Sequence, residues 1–222
     1  MRFLFVIVLW LLFGCTNSEK KQLQISDDVF AASIPGDSGV NYFPKGVDFG
    51  YGANKVSIDS FVKRWYSDVL YNFHEPVLYN YAGNAESVRF LLLPSFGNAV
   101  VVRLSQLDGI VYAKIKELST ASSENTRQRV KVDTLLVIEP IRWQEMISRL
   151  TEHDFWIATA SDSSSQFSKD GTTWLLECRL KDRYHCIERW DNGSLASSDM
   201  RLFAGSLMEI AKTTVSIGSE AR

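Results

Sequence analysis

From Val77 onward the chain breaks into short runs of β-branched and aromatic residues, with no helix-length segment between the first five. They are Val77–Tyr81, Val88–Leu93, Ala99–Leu104, Ile110–Leu118 and, after a polar loop over Ser119–Asn125, Val130–Ile138. Gly97-Asn98 and Asp108-Gly109 stand where hairpin turns are needed, because both pairs tolerate positive φ. Two more runs, Thr172–Leu180 and Tyr184–Trp190, flank Lys181-Asp182-Arg183 and predict a further hairpin with a three-residue loop. Phe155–Ala160 reads as a strand ahead of them. Strands that follow one another without crossover helices pair antiparallel, so the expectation is an α+β fold with a mainly antiparallel sheet.

About three helices complete the pattern. Ser57 reads as an N-cap with Asp59 in the first turn. Ile58, Phe61, Val62, Trp65, Val69 and Phe73 then share one face at helical spacing, and Pro76 ends the helix. Pro140 suits the first position of a second helix, whose apolar stripe is Trp143, Met146, Ile147 and Leu150. A third is expected over Ser198–Lys212, with Phe203, Leu207, Ile210 and Ala211 inward. Ser33–Asn54, rich in Gly and Pro, reads as an irregular surface segment, and its glycines lack the Lys-Ser/Thr of a phosphate loop.

The N-terminus carries a different signal. Arg2 precedes an unbroken apolar run from Phe3 to Phe13. Eleven residues rise only about 16 Å as a helix, against about 30 Å of bilayer core, which fits the apolar region of an export signal. Leu12-Phe13-Gly14-Cys15 resembles the bacterial lipobox. That resemblance implies cleavage before Cys15 and acylation at its sulfur, and two or three acyl chains hold a protein stably on a membrane. The expected organisation is a signal peptide over 1–14, a lipidated Cys15 and tether over 15–30, and one α+β domain over 31–222. The implied location is the cell envelope, facing the periplasm or the cell surface, with the outer membrane favoured. The net charge is −2 and the 24 basic residues are interspersed with 26 acidic ones. No basic stripe results, which argues against a nucleic-acid partner.

Apart from Cys15 the chain has two cysteines, Cys178 and Cys186. A three-residue loop at 181–183 would place them directly opposite each other across the hairpin, at a separation a disulfide can use. Outside the cytoplasm such a bond persists. A one-residue change of register would send them to opposite faces instead. His74, His153 and His185 show no metal-ligand spacing, and no cofactor motif is present.

In that same register Glu177, His185 and Arg189 share a sheet face, and Arg89 and Arg103 on neighbouring strands could join them. A Glu-His-Arg group can bind an anion or do acid–base chemistry. Ion pairs on a solvated sheet face are the other reading of the same residues.

The stretch from Val88 to Lys212 resembles a family of uncharacterised bacterial secreted proteins and lipoproteins. The resemblance rests on Arg89-Phe90, Ser95-Phe96, Val102-Arg103-Leu104 and Asp154-Phe155-Trp156. Its most distinctive parts are Asp170-Gly171-x-x-Trp174-x-x-Glu177 and Tyr184-His185-x-x-Glu188-Arg189-Trp190. It implies no activity. No nucleophile, metal or cofactor constellation stands out in the sequence, so the functional expectation is a lipid-anchored, non-catalytic binding domain that meets a protein partner in the envelope. One alternative is an envelope hydrolase using Glu177 and His185. Another is an inhibitor or immunity-type protein presenting the Ser161–Gly171 loop.

Overall fold

A computed structural model describes residues 27–51, 54–119, 129–161, 171–191, 203 and 205–209. Its centre is one antiparallel sheet of six strands: β1 (Glu86–Pro94), β2 (Val100–Leu107), β3 (Ile110–Leu118), β4 (Val130–Ile138), β5 (Thr172–Leu180) and β6 (Arg183–Asp191). The spatial order is β4-β3-β2-β1-β5-β6. The first four strands form a meander, and the β5–β6 hairpin returns to pair with the free side of β1. Asp108 and Gly109 both take positive φ in the β2–β3 turn, as expected of that pair. The α+β reading holds.

The sheet is covered on both faces. Helix α2 (Pro140–Glu152) lays Trp143, Met146 and Leu150 on one face, against Phe90, Val102, Ala113, Leu176 and Cys178. Phe155 and the helical residues Phe203 and Leu207 join this cluster. Only 203 and 205–209 of the expected third helix fall among the described residues. Helix α1 (Lys55–Asn72) covers the other face together with residues 42–49 and the 3-10 helix Asp27–Ser33. Burial on both faces explains why β1, β2 and β5 read as nearly continuous apolar runs.

Helix α1 differs from expectation in its buried face. Val62, Tyr66, Val69, Leu70 and Phe73 point inward, but Phe61 is 69% exposed and Trp65 38%. Lys63 and Ser67 take the inward positions, because they hold the incoming chain. The Ser67 hydroxyl accepts the Tyr42 N–H at 3.1 Å and donates to the Lys63 carbonyl. Lys63 pairs with Asp59, which also accepts the Phe49 N–H at 2.8 Å. The helix starts after Asn54, so Ser57 lies inside it and is no cap.

The preceding Gly/Pro-rich segment is irregular as expected, but much of it is not surface. Tyr42, Phe43, Val47 and Phe49 are buried, and Phe43, Phe49 and Tyr66 meet edge to face. Each such ring contributes about 1.5–3 kcal/mol by leaving water. Gly50 is required here, since a Cβ would collide with the Lys55 carbonyl.

Two expected strands are absent. Val77–Tyr81 is a buried loop fixed by Val77 N–H to Ser33 O and by Tyr81 O–H to Val29 O. Phe155–Ala160 is a series of turns, which the left-handed Asp154 initiates.

Candidate functional site

The β5–β6 turn has two residues rather than three, with Lys181 at φ 53°. Leu180 pairs with Arg183, so Cys178 pairs with His185 and Glu177 with Cys186. This single step of register moves every side chain of β6 to the other face relative to β5. The expected Cys178–Cys186 disulfide is therefore not formed. Cys178 lies in the cluster under α2 and Cys186 in the cluster under α1, both as buried free thiols. Burial raises both thiols well above their usual range, which makes them poor nucleophiles. Denatured, unreduced protein should yield both of these thiols to a thiol reagent, and native protein should react far more slowly. A denatured chain in which neither reacts would restore the disulfide.

The same step divides the candidate polar group. Arg89, Arg103 and Glu177 come together on the α1 face, all fully buried, while His185 and Arg189 lie on the opposite face. His185 Nε2 meets the Ala158 carbonyl at 2.9 Å with its ring edge-on to Phe155, and burial lowers its basicity. Arg189 donates to the Thr159 carbonyl at 3.1 Å. These two side chains hold residues 158–160 along the edge of β6, where Glu188 N–H also reaches the Ala160 carbonyl.

On the other face the group grows by two residues that the sequence did not single out, Glu75 and Lys116. Arg89 grips Glu177 with two hydrogen bonds, Nε to Oε2 at 2.7 Å and Nη2 to Oε1 at 2.8 Å. The Tyr184 hydroxyl donates to the same carboxylate at 2.9 Å. Arg103 Nε donates to Glu75 Oε2 at 2.9 Å, and its guanidinium lies 4.2 Å from the centre of the Phe30 ring. Lys116 Nζ lies 2.9 Å from Glu75 Oε1, and Arg89 Nη1 lies 3.6 Å from Glu75 Oε2. Glu75 thus sits among three cations.

The cations also bind backbone. Lys116 donates to the Phe73 and His74 carbonyls, and Arg89 donates to the Pro76 carbonyl at 2.6 Å. The Tyr42 hydroxyl donates to the Glu75 carbonyl. Phe73 caps the C-terminal end of α1, where the helix carries partial negative charge, and positive side chains are favoured there. His74 adopts the left-handed conformation, φ 52°, and turns the chain so that Glu75 enters the sheet face and Pro76 leads toward β1. The arrangement is a clamp that binds the α1–β1 connection to the middle of the sheet.

Its titration follows from burial and charge. Burial alone would raise the Glu75 carboxyl, but Arg103, Lys116 and Arg89 outweigh it and draw it down to about 2. Burial lifts the Glu177 carboxyl above its ordinary range, against the pull of Arg89 and Tyr184. Every one of these charged groups is 3% exposed or less, so none faces solvent as an acid, a base or an anion site.

Five residues of the 170–190 motif do comparable structural work. Trp174 packs edge-on to Phe90 in the core, Glu177 and Tyr184 join the clamp, and His185 and Arg189 fasten residues 158–160. No cluster of three or more His, Cys, Asp or Glu suited to a metal occurs among the described residues. The chain matches none of the protein families scanned and none of the curated proteins searched.

Proposed function

We propose that this chain is a lipid-anchored protein of the bacterial envelope whose single domain acts by binding rather than by catalysis. The carrying observation is where the domain spends its charged residues. Arg89, Arg103, Glu177, Glu75 and Lys116 are consumed in a closed, buried clamp, and His185 and Arg189 hold backbone carbonyls on the far face. The hydrolase alternative needs Glu177 and His185 in one cleft, and they occupy opposite faces of the sheet. The Ser161–Gly171 loop named for an inhibitor role lies, over 162–170, outside the described residues.

Location rests on the leader and Cys15. In this reading an acyl anchor on Cys15 supplies the attachment; no described helix is long and apolar enough to cross a membrane. Growth with an alkyne-tagged fatty acid should label the full-length protein and keep it in the membrane fraction. The Cys15→Ser variant should lose the label. Label that persists in that variant, or a mature chain beginning elsewhere than Cys15, would overturn the assignment.

A further inference from the structure

Helix α1 leaves two large aromatic rings in solvent. Phe61 and Trp65 stand four residues apart and are neighbours on the helix surface. Trp65 is braced by Tyr66, whose ring stacks on it with 5.0 Å between centroids. Val56, in the first turn of the same helix, is exposed as well. Elsewhere Phe96, Val137, Ile141 and Ile157 are exposed, but no two of them share a helix or strand.

The same helix forms one wall of a pocket of about 450 Å³, and residues of the 39–45 segment form the other. The charged groups lining it are Lys45, Lys63, Arg64 and a single acid, Asp59. Asp59 is already held by Lys63 and by the Phe49 N–H. Arg64 pairs through Nε with Asp68, which lies outside the lining, and a Cβ on Gly39 in the pocket wall would touch Arg64 Nη1 at 3.6 Å. The excess charge of the lining is positive, so its complement is an anionic group such as a phosphate.

The described chain begins at Asp27 in the 3-10 helix, which covers the same face of the sheet as α1. Cys15 precedes Asp27 by twelve residues, which reach at most about 43 Å when fully extended. Helix α2 lies on the opposite face of the sheet. An anchor at Cys15 therefore brings the α1 layer to a bilayer before the α2 layer. Given the acyl anchor proposed above, on which this placement rests, we infer that the outer side of α1 docks on an anionic phospholipid bilayer. Phe61 and Trp65 enter the headgroup boundary, where amphipathic and aromatic rings are favoured. The pocket of Lys45, Lys63 and Arg64 takes a lipid phosphate.

Lipid quenching tests the orientation. Full-length acylated protein is reconstituted in vesicles of phosphatidylethanolamine and phosphatidylglycerol that carry a lipid spin-labelled near its headgroup. A fluorophore is attached through Ser57→Cys, one turn before Phe61, or through Glu145→Cys, exposed on α2. Cys178 and Cys186 are buried and stay unlabelled in the native protein. Quenching at position 57 should exceed that at 145 by about threefold or more. The double variant Phe61→Glu/Lys45→Glu alters two exposed side chains, so the fold should survive while quenching at 57 falls to the level at 145. Unchanged quenching in that variant would overturn the docking. Protein that floats with the vesicles but is quenched equally at both positions keeps its anchor and overturns the docking alone. Protein that does not float has no anchor, and the docking falls with it. A label at 57 that is shielded without lipid quenching, in protein that sediments as a dimer, would give this face to a second copy instead.

Discussion

Replacing Glu75 with Gln should destabilise the domain by about 3–5 kcal/mol, the cost of leaving buried cations without their partner. Against a total of about 5–15 kcal/mol for an ordinary domain, that is a large fraction. The isosteric amide keeps the volume, so the effect isolates charge. Arg103 and Lys116 keep their carbonyl and hydroxyl acceptors but lose the carboxylate that sits between them. Urea unfolding at neutral pH measures the change directly.

The pH dependence gives a second, independent reading. The folded Glu75 carboxyl lies at about 2, below its ordinary value of 4.5, so its contribution is full above the unfolded pKa. It is lost as pH falls from about 4.5 toward 2, a difference of about 3 kcal/mol. Wild type should therefore lose stability steeply below pH 5, and E75Q should show a shallower acid limb. A variant as stable as wild type, or an unchanged acid limb, would remove Glu75 from the centre of the clamp.

The clamp shows how far local sequence signals reach. Strands β3 and β4 and the opening of α2 at Pro140 follow the expected bounds, because they rest on turn pairs, run length and a proline rule. The β5–β6 register did not, since Lys181-Asp182 carries no Gly or Asn to mark a two-residue turn. That one residue decided both the disulfide and the company of Glu177.

Helix α1 misled for another reason. Its inward face includes Lys63 and Ser67, which serve the chain at Tyr42 and Asp59 rather than the apolar core. The sequence put Arg89 and Arg103 on neighbouring strands, and the ladder sets them directly opposite each other. Two arginines buried in a sheet covered on both faces require carboxylates, and Glu177 answered for one. Glu75 stands between a helix end and a proline, and only tertiary structure carries it to Arg103.

Arg89→Met should be the second costly change, and its pH dependence should run opposite to that of Glu75. Arg89 supplies two of the hydrogen bonds to Glu177, and Tyr184 supplies another. Without the guanidinium, burial acts on Glu177 with little to oppose it, and its folded pKa rises further above the unfolded value. A group shifted upward contributes stability below its unfolded pKa and loses it as pH rises through the folded pKa. R89M should thus lose about 3–5 kcal/mol at neutral pH and recover part of that near pH 5, where Glu177 takes up a proton. Adding Glu177→Leu removes the stranded carboxylate, so the R89M/E177L double variant should be more stable at neutral pH than R89M alone. The expected coupling is about 0.5–3 kcal/mol. Urea midpoints at pH 5 and pH 8 for the four proteins of the cycle decide the matter. If the losses add, or if R89M gains nothing on acidification, Arg89 and Glu177 are neighbours in the core and not a working ion pair.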